Sequence, residues 1–285
     1  MLKKLLIGLI VVLGTLFLFL VLYTPPISEN HGEIQTRLYL GEGENQPLVV
    51  GFGGGEGGNA WDSDYWKDIR NEFLNQGYSF LAIGYFGIEN IPAELDRISL
   101  NAIHDSIMQI ALHPKINQQK IALIGGSKGA ELALNLASRY PDYGAIIGIV
   151  PSHVSFPANN MSASTSSWTF NGEEIPYVPM PWAAVPAALK HDLHSAFSIM
   201  LENEEAVEKA KIAVENIQGS ILLVSATEDE MWPSTEMSED IIQTLKKENF
   251  GYYYEHIPVQ GGHTEPRKHF NRIFDFLNKH FKESL

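Results

Sequence analysis

The sequence predicts an α/β fold, with a mostly parallel sheet covered by helices on both faces. Three observations lead there. Short apolar runs alternate with longer amphipathic ones along nearly the whole chain, the pattern of strands joined by helical crossovers. One apolar run, Ile121–Ile124, ends in Gly125-Gly126-Ser127-Lys128-Gly129 and passes at once into the helical Ala130-Glu131-Leu132-Ala133-Leu134. Hydrophobic residues make up 45% and charged residues 19% of 285, enough to bury a sizeable core in one large domain.

Residues 1–26 differ in kind from the rest. Lys3-Lys4 precede an uncharged run from Leu5 to Tyr23. As a helix this run would be about 28 Å long, close to the hydrocarbon thickness of a bilayer. Cations before it and the acids Glu29 and Glu33 after it favour an amino terminus inside and the remainder outside the cytoplasm. A single membrane-spanning anchor is the expectation. A cleaved signal peptide with a secreted product is the alternative, disfavoured by the length of the run and the lack of an A-x-A-like site.

Residues 27–46 read as a tether that carries a first strand near Ile34–Leu40, and 47–285 as the globular domain. Pro47–Phe52 is a buried strand running into the backbone-rich Gly53–Gly58, and a helix is expected over Asp62–Gln76. Tyr78–Tyr85 is the next strand. Pro92–His113 reads as a long helix with Leu95, Ile98, Ile103, Ile107 and Ile110 on one face. Ala145–Val150, Ile221–Ser225 and Tyr252–Val259 are further strands, Ser234–Lys247 a helix between the last two, and Glu265–Phe281 a closing amphipathic helix. Residues 152–186 break the alternation with Ser, Asn, Pro, Met and Trp. A long insertion after a strand suggests a lid, with Trp168, Tyr177, Trp182 and His153 as candidates to line a pocket.

The Gly-x-Ser-x-Gly segment has the form of a nucleophile elbow. A serine at the tip of a tight strand-to-helix turn leaves no room for a Cβ two residues to either side. The helix behind it directs N–H groups and a positive dipole end at the reaction centre. An α/β-hydrolase supplies the partners in the order serine, acid, histidine. Glu228-Asp229-Glu230 follows the strand Ile221–Ser225, and Gln260-Gly261-Gly262-His263 follows the strand ending at Val259. His263 would take the proton of Ser127 and a carboxylate would fix the imidazole tautomer. Asp229, four residues before Pro233, is preferred to Glu228 for that role. The oxyanion hole would combine the Lys128 N–H with one from Gly54 or Gly55.

Other chemistries are excluded more simply. A formal charge of −14 with no basic stripe argues against nucleic acid. The absence of cysteine removes disulfides, thiolate nucleophiles and Cys-ligated zinc. Gly53–Gly58 lacks a following Gly-Lys-Ser/Thr and the dinucleotide fingerprint, so no nucleotide cofactor is implied.

Several short motifs recur together. Ser127-Lys128-Gly129-Ala130-Glu131-Leu132-Ala133-Leu134, Tyr85-Phe86-Gly87 with Ile91-Pro92-Ala93-Glu94-Leu95, Ile212–Ile217 and Trp232-Pro233-Ser234 resemble, in order, the C-terminal hydrolase domain of the acyl-CoA thioesterase and bile acid-CoA:amino acid N-acyltransferase family. The resemblance covers roughly residues 45–283. It implies an α/β-hydrolase fold, the triad Ser127, Asp229 and His263, and acyl thioester substrates. The family's amino acid-transferring members are expected to use cysteine as nucleophile, so a serine here implies hydrolysis. The family's N-terminal β-sandwich has no counterpart, and an apolar segment stands before the domain instead. A carboxylesterase acting on other esters is the second reading. A catalytically silent envelope-binding module is the third.

Overall fold

The computed structural model describes every residue except 1, 161 and 283–285, and leaves aside the side chains of residues 2, 5 and 16–22 as well. The elements run α1 Leu2–Leu22, β1 Gln35–Tyr39, β2 Gln46–Phe52, α2 Lys67–Asn75, β3 Ser79–Gly84, β4 Ile98–Ser99, α3 Leu100–Ala111 and β5 Ile116–Gly126. They continue with α4 Lys128–Ala137, β6 Tyr143–Ile149, β7 Trp168–Phe170, β8 Glu173–Glu174, α5 Val185–Leu189, α6 Leu193–Leu201 and α7 Glu204–Ala210. The chain closes with β9 Ser220–Ala226, α8 Ser234–Lys247, β10 Tyr254–Val259 and α9 Phe270–Leu277.

The main sheet has seven strands in the order β1-β3-β2-β5-β6-β9-β10. All neighbours are parallel except the edge pair β1 and β3. Successive residues of β2 face opposite sides: Leu48, Val50 and Phe52 enter one core cluster and Val49 the other. Both sides are apolar, which is why the strand reads as an unbroken hydrophobic run. Leu100, Ile103 and Ile107 of α3, with Leu132 and Leu136 of α4 and Ile241 and Leu245 of α8, cover the first face. Phe73 of α2 and Phe270, Ile273, Phe274 and Leu277 of α9 cover the second.

Two expectations are corrected. The helix expected over Pro92–His113 begins only at Leu100, where the Ser99 hydroxyl caps it by accepting from the Ala102 N–H at 3.2 Å. Leu95 and Ile98 are buried all the same, so their apolar spacing reports packing of the preceding segment. The expected closing helix is interrupted: Glu265–Lys268 is a 3₁₀ turn and α9 starts at Phe270. The chain just ahead of residues 27–46 is held to the domain, because Arg97 Nη2 donates to the carbonyls of Pro25 and Pro26 at 2.6 and 3.0 Å. The bilayer span expected at Leu5–Tyr23 falls in α1 and partly on residues whose side chains lie outside the description. Among the described residues no helix is long and apolar enough to cross a membrane, so that span has no support from the structure.

The insertion extends beyond 186, through α5, α6 and α7. Its β7 and β8 join β4 in a small second sheet, and its apolar side chains pack with Trp232 and Met237 in a third cluster.

Candidate active site

The turn between β5 and α4 is strained at one residue. Ser127 has φ +55° and ψ −121°, a conformation that costs a non-glycine residue of order 1–3 kcal/mol and persists only where its surroundings enforce it. The flanking glycines explain how. A Cβ on Gly125 would overlap the carbonyl of Gly129, and one on Gly129 would lie 2.6 Å from Phe52 O. The elbow helix can therefore sit down onto the end of β2. The Ser127 N–H donates to Ile149 O at 2.9 Å, which ties the turn to β6.

The expected acid and histidine meet. His263 Nδ1 and Asp229 Oδ1 are 2.7 Å apart, with 10% and 1% of the side chains exposed. The same Asp229 oxygen accepts from the N–H groups of Met231 and Trp232 at 3.0 and 3.3 Å. Burial raises the Asp229 carboxyl, but the hydrogen bond and charge of His263, with contributions from Ser234 and Met231, outweigh it and hold the group below its ordinary range. The aspartate is thus kept ionised against an imidazole. Glu228 is exposed, with its carboxylate 3.5 Å from Gln260 Nε2. Glu230 instead supports the histidine backbone, where its Oε2 accepts the His263 N–H at 2.9 Å. A Cβ on Gly262 would lie 2.6 Å from that oxygen, and one on Gly261 2.7 Å from Glu265 Cγ. These glycines make room for acidic side chains.

Ser127 and His263 line one cavity of about 500 Å³, together with Gly54, Gly55 and Lys128. A Cβ on Gly54 would stand 3.3 Å from that of Ser127, so the glycine loop abuts that serine. Among the described residues the N–H groups of Gly54, Gly55 and Lys128 donate to no backbone acceptor, leaving them available to a developing oxyanion.

The pocket candidates from the insertion fare differently. Trp168 is fully buried behind the wall, Trp182 is 67% exposed, and neither they nor Tyr177 nor His153 line the cavity. The wall is made by Phe156, Met180, Phe197 and Met200, with Trp232 from the acid loop. Phe197 and Met200 sit three residues apart on α6 and so share a face. Phe156 packs on Phe197 and Trp232 at 4.7 and 5.7 Å, and Trp232 reaches the His263 ring at 6.2 Å. The insertion is also tied to the acid directly, since His194 Nδ1 donates to Asp229 O at 2.7 Å.

Trp168 instead belongs to a buried polar network. Glu131 accepts from Lys128 Nζ at 2.9 and 2.8 Å, from Trp168 Nε1 at 2.7 Å and from the Phe156 N–H at 3.1 Å. Burial lowers the Lys128 amine and raises the Glu131 carboxyl, and their mutual attraction opposes both shifts.

His153 has a structural consequence. It is buried, its Nδ1 has no partner among the described residues, and its Nε2 lies 3.7 Å from Asp240. Burial pushes its pKa down to about 4, against a milder opposing pull from Asp240. The folded chain therefore keeps it neutral, whereas the unfolded chain protonates it below about pH 6.5. Stability from this residue is full above that pH and falls towards pH 4, by about 3 kcal/mol in all. In urea titrations at pH 7 and 5, His153→Gln is expected to lose less stability on acidification than the parent chain. Equal losses would refute this account.

Comparison with known proteins places the chain in a family. The family model described as BAAT / Acyl-CoA thioester hydrolase C terminal matches residues 98–266, and one for an α/β hydrolase of unknown function matches 38–155. The peroxisomal succinyl-coenzyme A thioesterase of Mus musculus is 26% identical over 240 residues, covering 78% of this chain and 50% of that protein. The acyl-coenzyme A amino acid N-acyltransferase 1 of Mus musculus is 23% identical over 220 residues, covering 76% and 48%. The chain thus spans about half the length of these curated relatives. The crystal structure of the α/β hydrolase GrgF from Penicillium sp. sh18 superposes with a TM-score of 0.54 at 15% identity, covering 88% of this chain and 99% of that one, a likeness of fold alone. With more than half its length matched by that family model, the chain belongs to the family of BAAT and acyl-CoA thioester hydrolase C-terminal domains, on an α/β-hydrolase fold.

Proposed function

We propose that the chain is a serine hydrolase that cleaves acyl thioesters through an acyl-Ser127 intermediate. The observation that carries this reading is the strained Ser127 sharing a cavity with His263, whose Nδ1 is hydrogen-bonded to a buried, ionised Asp229. In the reaction Ser127 Oγ attacks the acyl carbon as His263 Nε2 takes its proton, and the negative charge on oxygen falls to the N–H groups of Lys128 and Gly54 or Gly55. Collapse breaks the carbon–sulfur bond, and the thiol leaves with the proton from His263. Water, activated by the same imidazole, then releases the acid and restores the serine. The apolar wall of Phe156, Phe197 and Met200 suits an acyl chain.

Thioesters are favoured over carboxylic esters by the names of the relatives, and oxygen esters follow by the same chemistry. A silent binding module has no use for a strained serine that shares a cavity with a histidine hydrogen-bonded to a buried aspartate. The test is labelling by a fluorophosphonate probe, followed by turnover assays on acyl-CoA, p-nitrophenyl ester and peptide substrates. No labelling and no turnover would overturn the reading.

The residues Leu5–Tyr23 also motivate a proposed location. We propose that this segment holds the chain at a membrane with the hydrolase domain outside the cytoplasm, on the strength of Lys3-Lys4 before the run and acids after it. Protease added to intact cells is expected to digest the domain, and full protection would refute the orientation.

A further inference from the structure

The chain has few basic groups, 20 against 34 acids, and most of its arginines are engaged within the protein. Arg70 donates to the carbonyls of Trp61 and Ser63, Arg97 pairs with Asp96, Arg139 donates to Asn135, and Arg272 lies 3.6 Å from Glu255. Arg267 differs. Its guanidinium makes no ion pair or hydrogen bond among the described residues, although it lines the same cavity as Ser127 and His263. The other permanent cation lining that cavity, Lys128, is already held by Glu131.

Arg267 is nevertheless not a loose surface side chain. Its Cζ lies 5.7 Å from the centre of the Trp66 ring. Trp66 is stacked on Trp61 at 4.4 Å, and Trp61 Nε1 donates to Phe52 O at the end of β2. Both tryptophans are buried and line the cavity. The guanidinium is thus set against a fixed aromatic platform, with its donor fork free, on the 3₁₀ turn that follows His263. An arginine in that condition matches a planar or multiply charged oxyanion, which it can engage with paired N–H donors. Glu56 also lines the cavity, so the anion must lie on the Arg267 side, clear of that carboxylate.

We propose that Arg267 forms a subsite for an anionic group, a phosphate or a carboxylate, carried by the substrate at a distance from the scissile bond. The inference rests on the hydrolase reading and deepens it. Two sources would supply the same chemistry: phosphates on the leaving group, or a terminal carboxylate on the acyl chain.

Three substrates separate the sources: decanoyl-CoA, p-nitrophenyl decanoate, and the p-nitrophenyl monoester of adipic acid. In Arg267→Ala the ratio of kcat/KM on an anionic substrate to that on the neutral decanoate is expected to fall at least about tenfold, mostly through KM. A fall confined to decanoyl-CoA assigns the leaving group, and one confined to the adipate monoester assigns the acyl end. Arg267→Lys is expected to recover part of the loss, because charge remains while the fork is gone. A second measurement needs no turnover. Calorimetric binding of CoA and of adipate to the full chain carrying Ser127→Ala should weaken at least about tenfold for one of them when Arg267→Ala is added. Ratios unchanged within twofold on both anionic substrates overturn the proposal, as does binding that is absent or insensitive to Arg267. Failure of all turnover while binding still depends on Arg267 would overturn the hydrolase reading alone.

Discussion

Ser127→Ala is expected to lower kcat by about 10⁵ to 10⁶ while leaving the thermal midpoint of the chain unchanged, because only the attacking oxygen is removed. His263→Ala should cost about as much, and the double variant little more than either, since members of a triad act as one unit. Asp229→Asn should cost on the order of 10⁴: Asp229 Oδ1 is the acceptor 2.7 Å from His263 Nδ1, and an amide there can select the wrong tautomer. The neighbouring acids separate the roles further. Glu228→Gln should be near neutral, since that side chain is exposed and, among the described residues, its one side-chain hydrogen bond is to Gln260. Glu230→Gln should be mild as well, because an amide oxygen can still accept the His263 N–H that Glu230 now holds at 2.9 Å. Steady-state kinetics on the best substrate measure all of these. Wild-type turnover in Ser127→Ala would end the serine-hydrolase reading. A severe Glu228→Gln beside a mild Asp229→Asn would move the acid by one residue and keep the mechanism.

What made these residues legible was local. The steric demands of the elbow fall within five residues, Gly125 to Gly129, and strands buried on both faces, such as β2 and β9, carry unbroken apolar runs. The acid and histidine loops were legible because each follows a strand directly. Segments whose fate depends on distant partners were not. Leu95 and Ile98 continue the helical spacing of α3, yet Ser99 caps that helix and Arg97, at φ +52°, breaks any helix before it. Trp168 has the composition of a lid residue, but its indole N–H goes to Glu131, 37 positions earlier in the chain. Part of the cavity wall, Phe197 and Met200, comes from α6, which lies beyond the segment whose composition marked it as an insertion. No local pattern announces that Phe197 and Met200 face a serine 70 or more positions away. Arg267 was hidden for a related reason: what singles it out is the absence of an ion-pair or hydrogen-bond partner for its guanidinium among the described residues, and partners are set by the fold.

Glu131→Ala is expected to be the most destabilising single change near the site. The carboxylate is fully buried and accepts four hydrogen bonds, two from Lys128 and one each from Trp168 and the Phe156 N–H. Truncation strands the Lys128 ammonium in a site whose burial already lowers its pKa. Breaking a buried pair in this way costs about 3–5 kcal/mol, a large part of the 5–15 kcal/mol typical of a folded domain. Lys128→Met should be costly for the mirror reason, leaving a buried carboxylate with only its neutral donors. Combining Lys128→Met with Glu131→Ala removes both charges, so the double variant should be more stable than the sum of the single losses predicts, by about 1–3 kcal/mol of coupling. Urea titration of the four proteins measures that coupling directly. A loss below about 1 kcal/mol in Glu131→Ala would mean that the pair contributes nothing net, since surface ion pairs reach that value. The consequence for catalysis follows from position. Glu131 joins α4, whose first N–H is the proposed oxyanion donor, to Phe156 of the cavity wall and Trp168 behind it. The fraction of Glu131→Ala that remains folded should therefore also turn over more slowly, with the deficit in kcat rather than in KM.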